Sequence, residues 1–289
     1  MSRLAVVTDS CASVPQDLLN RLNIHWVAYY IHRGQEVLRD LVSIQADEFY
    51  RWLPGAKVLP TTASPGPGDY LEVYEALAEE SGVTEIVSIH MTSSGSGAYQ
   101  AALAAQAMMK ERHPDLTVDV IDTRAVSLAH GWMVIEAARA AMQGQRLEQV
   151  AARVRSMIPV TRMIHTADTL RYLYMGGRIG RAKRLVGAVL NIKPLIGMED
   201  GVVVALGVAR SRAQAYAKMV DMVEQAVGRF GQIKVAYVHA AALGEAEKIR
   251  TLVEARLNVV ESLVAELSPA LGVHSGPGTA GLCYFPPAD

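Results

Sequence analysis

Glu85-Ile86-Val87-Ser88-Ile89-His90, followed after Met91 by Thr92-Ser93-Ser94-Gly95-Ser96-Gly97-Ala98-Tyr99-Gln100, is the stretch on which the fold turns. The first six residues read as a short, mostly apolar strand. Small residues then make a loop, and Gly97 to Arg112 reads as a helix. A strand passing through small residues into a helix is half of a strand–helix–strand unit.

The pattern recurs on either side. Leu4 to Val7 reads as a buried strand with Thr8-Asp9-Ser10 as its polar exit, and a helix follows from Pro15, a residue suited to a first turn. Ile24 to Ile31 reads as a second strand and Pro67 to Glu80 as a helix. Thr117 to Ile121 then leads through Asp122 to a helix near Leu128 to Met142. This alternation predicts an α/β protein whose first part is a parallel sheet flanked by helices. Ligands of such sheets bind beyond the carboxyl ends of the strands, where Thr8-Asp9-Ser10, Thr92-Ser93 and Asp122-Thr123 leave.

Leu147 to Met157 reads as an amphipathic helix, and Pro159 marks a break. The order beyond it differs. A strand over Arg162 to Thr166 and a short helix to Met175 precede a Gly- and Arg-rich stretch, Gly176 to Arg184. Ser211 to Phe230 and Gly244 to Leu257 read as helices, Ile233 to His239 and Gly281 to Phe285 as strands. With 289 residues the chain exceeds the usual single-domain size. Two α/β domains are expected, residues 1–158 and 159–289.

Half of the residues, 51%, are hydrophobic, enough for a substantial core. Lys plus Arg number 28 against 29 Asp plus Glu, a balance that argues against nucleic acid as the main partner. Cys11 and Cys283 match no metal or redox spacing, so no structural disulfide is expected and a reducing cytoplasm is. No apolar run suits a signal peptide or a membrane span.

Three clusters carry the chemistry: Thr61-Thr62-Ala63-Ser64-Pro65, Thr92 to Gln100, and His274-Ser275-Gly276-Pro277-Gly278. Together they supply hydroxyls, backbone N–H groups and an imidazole, an inventory for holding a small anion. Ser96 at a helix start reads as a cap, and the same helix end can direct N–H groups at an anion. The two roles are compatible. Thr61 and Thr62 read as a turn before a helix. Gly276 to Gly281 spells G-x-G-x-x-G, but no helix unit follows before Asp289, so a sharp turn presenting His274 is expected instead. The basic stretch Gly176 to Arg184 reads as a solvated loop or a docking surface, and no Walker loop is present. No zinc or calcium pattern occurs, so neither metal nor cofactor is expected. Ser96 lacks a nucleophile elbow.

Taken in order, six motifs make the chain resemble the DegV family of bacterial fatty-acid-binding proteins. They are Val7-Thr8-Asp9-Ser10, Pro60-Thr61-Thr62-Ala63-Ser64-Pro65, Ser96-Gly97-Ala98-Tyr99-Gln100, Gly176-Gly177-Arg178-Ile179, Leu190-Asn191-Ile192-Lys193-Pro194 and His274-Ser275-Gly276-Pro277-Gly278. The resemblance implies two α/β domains with a long-chain fatty acid in the cleft between them. It implies that Thr62 and Ser96 bind the carboxylate, with Ser93, the Gly97 backbone and His274 nearby. It further implies presentation of the acid to a fatty-acid kinase for phospholipid synthesis, with Arg178 and Arg212 as docking candidates. The chain departs from the family at Ala63-Ser64, where Ser-Gln is usual, and at Ala98, where Thr or Ser is usual.

A carrier fits this inventory, since neutral or titratable donors can hold a carboxylate without a fixed cationic side chain and still release it. The competing reading is a serine-dependent acyl hydrolase or transferase using Ser96 with His274 as base, which needs the two in hydrogen-bond contact. A third is a phosphate-binding module using the basic loop.

Overall fold

β1 (Leu4–Asp9) is followed by α1 (Gln16–Arg21), β2 (Ile24–Val27), β3 (Tyr30–Arg33), β4 (Glu36–Arg39), α2 (Ala46–Trp52) and β5 (Thr61–Ala63). Next come α3 (Pro67–Ser81), β6 (Glu85–His90), α4 (Ala98–Arg112), β7 (Thr117–Asp122), α5 (Ser127–Met142) and α6 (Leu147–Met157). The structure is a computed structural model and describes residues 4–185 and 192–287. Leu190 and Asn191 of the fifth motif lie outside the described residues.

Strands β2-β1-β6-β7 form a parallel sheet in that spatial order. The winding reverses between β1 and β6, so a crevice opens past their carboxyl ends. Helices flank the sheet, which is why β1 and β6 read as nearly continuous apolar runs.

Ile24 to Ile31, expected as one strand, is two. The chain leaves the parallel sheet after Val27, and β3 joins β4 and β5 in a small antiparallel sheet. The change comes at Tyr29, whose N–H donates to Ser10 Oγ at 3.1 Å and whose carbonyl accepts from the Asp40 N–H at 2.8 Å. Those partners lie elsewhere in the chain, so the local apolar pattern runs through the break unmarked. Thr61–Ala63, read as a turn, is β5, with Thr62 paired to Ile31.

The second half contains β8 (Arg162–Thr166), α7 (Arg171–Met175), β9 (Lys193–Glu199), β10 (Val202–Ala209) and α8 (Arg212–Val227). It continues with β11 (Gln232–His239), α9 (Leu243–Glu254), β12 (Asn258–Glu266), α10 (Pro269–Ser275) and β13 (Ala280–Phe285). Its sheet runs β10-β9-β8-β13-β11-β12, antiparallel except for the β11–β12 pair. The β9–β10 hairpin had no sequence expectation. It turns at Asp200 and Gly201, with φ of 49° and 77°, the two left-handed residues of a tight hairpin turn.

α5 is sandwiched between the sheets, touching β1 and β6 on one side and β11 and β13 on the other. Every residue from Ser127 to Ala138 is buried, which explains why this is the most apolar helix. Its one buried acid, Glu136, accepts from Arg139, Arg153 and Lys234. Burial pushes its carboxyl up, and hydrogen bonds from the three cations more than offset that, so it lies below its ordinary range.

α10 crosses back from the second half. It packs on α2, β3 and β5, and its Ala270 N–H donates to Asp40 Oδ1 at 3.1 Å. His274, expected on a turn, therefore occupies the last turn of a helix, and the Gly276-Pro277-Gly278 turn follows it.

Candidate functional site

A cavity of about 210 Å³ opens at the crevice between β1 and β6. Met91 and the Ser94–Gly97 turn line it after β6, and Thr62 and Ser64 come from β5 and its exit. Met163 and Met198 close it from the second sheet, and Leu271 and His274 from α10. Most of the wall is apolar; the polar groups of the motifs meet around the start of α4.

Thr62 Oγ1 lies 2.8 Å from His274 Nε2. Burial, aided by the Arg178 charge, lowers the His274 ring to about 4, so it is neutral at pH 7. Its Nδ1 has no hydrogen-bond partner and faces Gly176, where a Cβ would stand only 2.3 Å away. With the ring proton on Nε2, the imidazole donates to Thr62 and leaves the threonine proton for the cavity.

Ser96 is arranged on the same plan. The Tyr29 hydroxyl lies 2.5 Å from Ser96 Oγ, and the Ala98 N–H donates to the same oxygen at 3.2 Å. Burial foremost, then the Asp9 charge, holds the Tyr29 phenol well above its ordinary range, so it stays protonated. With the phenol proton directed at Ser96 Oγ, two donors meet that oxygen and the serine proton is left for the cavity. Gly97 caps α4, and a Cβ there would meet Ser64 Oγ at 3.0 Å. Glycine thus lets the exit of β5 close onto the helix start, joining the first two clusters.

Sequence reasoning missed Tyr29. It stands in the apolar run read as a single strand, where only the change of sheet turns its ring toward the cavity. His165, another lining residue, was also missed; burial lowers it to about 4. Nothing in the sequence near either residue marks it as part of a site.

The other three expected residues have partners of their own. Ser93 is exposed and outside the cavity, its hydroxyl donating to Asp122 Oδ2 at 2.5 Å and its N–H to Asp122 Oδ1 at 3.2 Å. Arg178 is at the cavity rim, with Nε on the Gly95 carbonyl at 3.1 Å and Nη1 on the Gly176 carbonyl at 3.0 Å. A cation therefore stands at the cavity rim, where no fixed one was expected. Arg212 is bound internally, to Asp168 at 2.8 Å, the Gly278 carbonyl at 2.7 Å and Tyr216 at 3.1 Å.

The acyl-transfer reading needed His274 at Ser96. The ring instead contacts Thr62, and Ser96 contacts Tyr29. Among the described residues no group of His, Cys, Asp and Glu could hold a metal ion, and no helix is long and apolar enough to cross a membrane.

The profile of the DegV family, described as uncharacterised proteins, matches residues 3–287. A DegV domain-containing protein of Caldanaerobacter subterraneus subsp. tengcongensis is 31% identical over 98% of this chain and 99% of its own length. A DegV family protein from Thermus thermophilus, described for its fatty acid binding, superposes with a TM-score of 0.90 at 31% identity, covering 99% of this chain and all of that one. DegV of Bacillus subtilis, described as a fatty acid binding protein, gives 0.87 at 26% identity, over 99% of this chain and all of that one. With its profile matched almost end to end, its relatives aligned along their full length and its two sheets superposed, this chain belongs to the DegV family.

Proposed function

We propose that this protein is a carrier that binds one long-chain fatty acid between its two halves. The carboxylate is held by Thr62, Ser96, the Gly97 end of α4 and His274. The observation that carries the reading is an apolar cavity whose wall turns polar at two hydroxyls, Thr62 beside His274 and Ser96 beside Tyr29. The fatty acid binding described for the Thermus and Bacillus relatives supports it.

The energetics agree. Each methylene taken from water contributes ~0.8 kcal/mol, so about fifteen supply roughly 12 kcal/mol before ordering costs. A buried carboxylate costs several kcal/mol unless hydrogen-bonded or paired. Two hydroxyls, a helix start and the rim guanidinium of Arg178 offset that cost. Because His274 is neutral, the acid is held mainly by hydrogen bonds and remains transferable.

The reading extends to a fatty-acid kinase that phosphorylates the presented acid for phospholipid synthesis, docking at the exposed Arg178 rim. The protein is then cytoplasmic, and its two halves, 1–158 and 159–289, are units that enclose the ligand.

Native mass spectrometry of gently purified protein tests the central claim. An adduct of fatty-acid mass is expected, and delipidated protein that ignores palmitate and oleate removes it. The kinase extension predicts acyl phosphate, trapped with hydroxylamine, only when loaded protein, ATP and kinase are combined.

A further inference from the structure

Met163 and Met198 line the cavity just described, and both also line a second one. That second cleft, of about 780 Å³, opens beside β7 and is edged by Asp122, Arg124, Arg155 and Glu199. The two methionines are therefore the partition between an apolar compartment and a wide, charged one.

Their placement follows from the β8–β9 ladder. The β8–β9 pairing ends at Ile164 with Gly197, and Met163 and Met198 are the next residue beyond it on either strand. Residues one step beyond the last antiparallel pair leave the sheet on the same face, which suits two side chains that line the same two cavities. Met163 is buried and Met198 partly exposed, and both pack against the core cluster that extends from the first half. A partition of two unbranched thioethers is deformable, since each can change rotamer without losing its apolar contacts.

We propose that the Met163–Met198 pair is the stop that sets acyl chain length, with the methyl end of the fatty acid resting against it. This rests on the fatty-acid reading above. Its physical reason is the contrast across the partition. An acyl tail gains from each methylene on the near side, while beyond the methionines it meets charged groups and solvent. The preferred acid is thus the longest that ends before the pair. Removing a methionine side chain lets further methylenes remain in apolar surroundings before they reach the second cleft.

The experiment is a binding series with delipidated full-length protein and the saturated acids laurate, myristate, palmitate, stearate, arachidate and behenate. Met163→Ala and Met198→Ala are expected to raise affinity for arachidate and behenate, relative to palmitate, by about tenfold, the value of two extra buried methylenes. Met198→Phe should shift preference the opposite way, favouring myristate over stearate by a similar factor. Met163→Leu, which keeps the volume, should retain the wild-type profile. Met198 is the safer site because its partial exposure makes shortening less costly to the fold. Acid binding with the wild-type chain-length profile in both Met198 variants overturns the stop and leaves the carrier reading intact. A wild-type protein that binds none of the acids removes the carrier reading, and the stop with it.

Discussion

Two clusters of hydroxyls and imidazoles lie beyond and beneath the same strand ends, and they differ in what their polar groups border. In the buried one the Tyr74 hydroxyl donates to Ser88 Oγ at 2.6 Å, Ser88 lies 2.7 Å from His90 Nε2, and His90 Nδ1 lies 3.1 Å from Asp9 Oδ2. Asp9 also accepts from the Cys11 and Met91 N–H groups. Burial pushes the Asp9 carboxyl up, but the His130 and His90 rings and the Met91 N–H outweigh it, and the carboxyl falls below its ordinary range. His130 adds a contact from Nε2 to Thr8 Oγ1 at 3.0 Å, and only its Nδ1 lacks a partner. Apart from that nitrogen, the cluster is matched within the protein and serves the fold. The cavity cluster pairs Tyr29 with Ser96 and His274 with Thr62, and all four residues line the cavity, with His274 Nδ1 unpartnered. Residue types are shared between the two; what marks the site is that its polar groups border an apolar cavity.

The sharpest way to break this contrast is Asp9→Ala. It leaves His90 and two buried N–H groups without their acceptor, so a loss of about 3–5 kcal/mol is expected in urea denaturation. A loss below about 1 kcal/mol would mean that the buried cluster is no more structural than the cavity.

pH separates the groups next. His274 and His165 are both lowered to about 4, so between their ordinary value of 6.5 and 4 only the unfolded chain takes up their protons. Their contribution is complete above pH 6.5 and is lost as pH falls towards 4, up to ~3 kcal/mol each. Asp40 works in the opposite direction. Burial raises it to about 6, against hydrogen bonds from Ser10, Ala270 and Ser268 that lower it. Its contribution is complete below its ordinary 3.8 and is lost as pH rises to 6. Denaturation midpoints should fall from pH 7 to pH 4.5, and the fall should be steeper in Asp40→Asn, which lacks the opposing contribution. A shallower fall in that variant would contradict the assignment.

At the cavity, Thr62→Val and Ser96→Ala should each weaken fatty-acid binding by about 1–3 kcal/mol in calorimetric titration. Their stability should change by less than about 1 kcal/mol, the inverse of the Asp9 result. The smallest effect is expected for Tyr29→Phe, which acts on the ligand only by orienting Ser96. About 0.5–1.5 kcal/mol of affinity should go, and none should be lost when the change is made in a Ser96→Ala background.

Legibility varied along the chain for identifiable reasons. β6, α6 and β8 were readable nearly to the residue because each is a self-contained period bounded by small or breaking residues. β5 was not, since three residues of Thr and Ala become a strand only when β3 lies beside them. β12 was missed because it is an edge strand, half exposed, without the continuous apolar signal of a central strand. Within the site, Thr62, Ser96, Gly97 and His274 were singled out by sequence and line one cavity, whereas Ser93, next to the same motif, faces Asp122. Adjacent residues on a turn point in different directions, and sequence adjacency carries no information on which one faces a cavity.

Local order was therefore determined by the sequence alone: alternating strands and helices, a parallel sheet in the first half, and polar clusters at strand exits. Its reason is that strand and helix periods, caps and breakers act over a few residues. The hydrogen-bond partners were decided only by tertiary structure. Tyr29 and Ser96 are 67 positions apart, Arg178 and Gly95 83, and Thr62 and His274 212. Which hydroxyl keeps a proton for a ligand depends on those distant partners, and they meet only once both sheets and α10 have closed around the cavity.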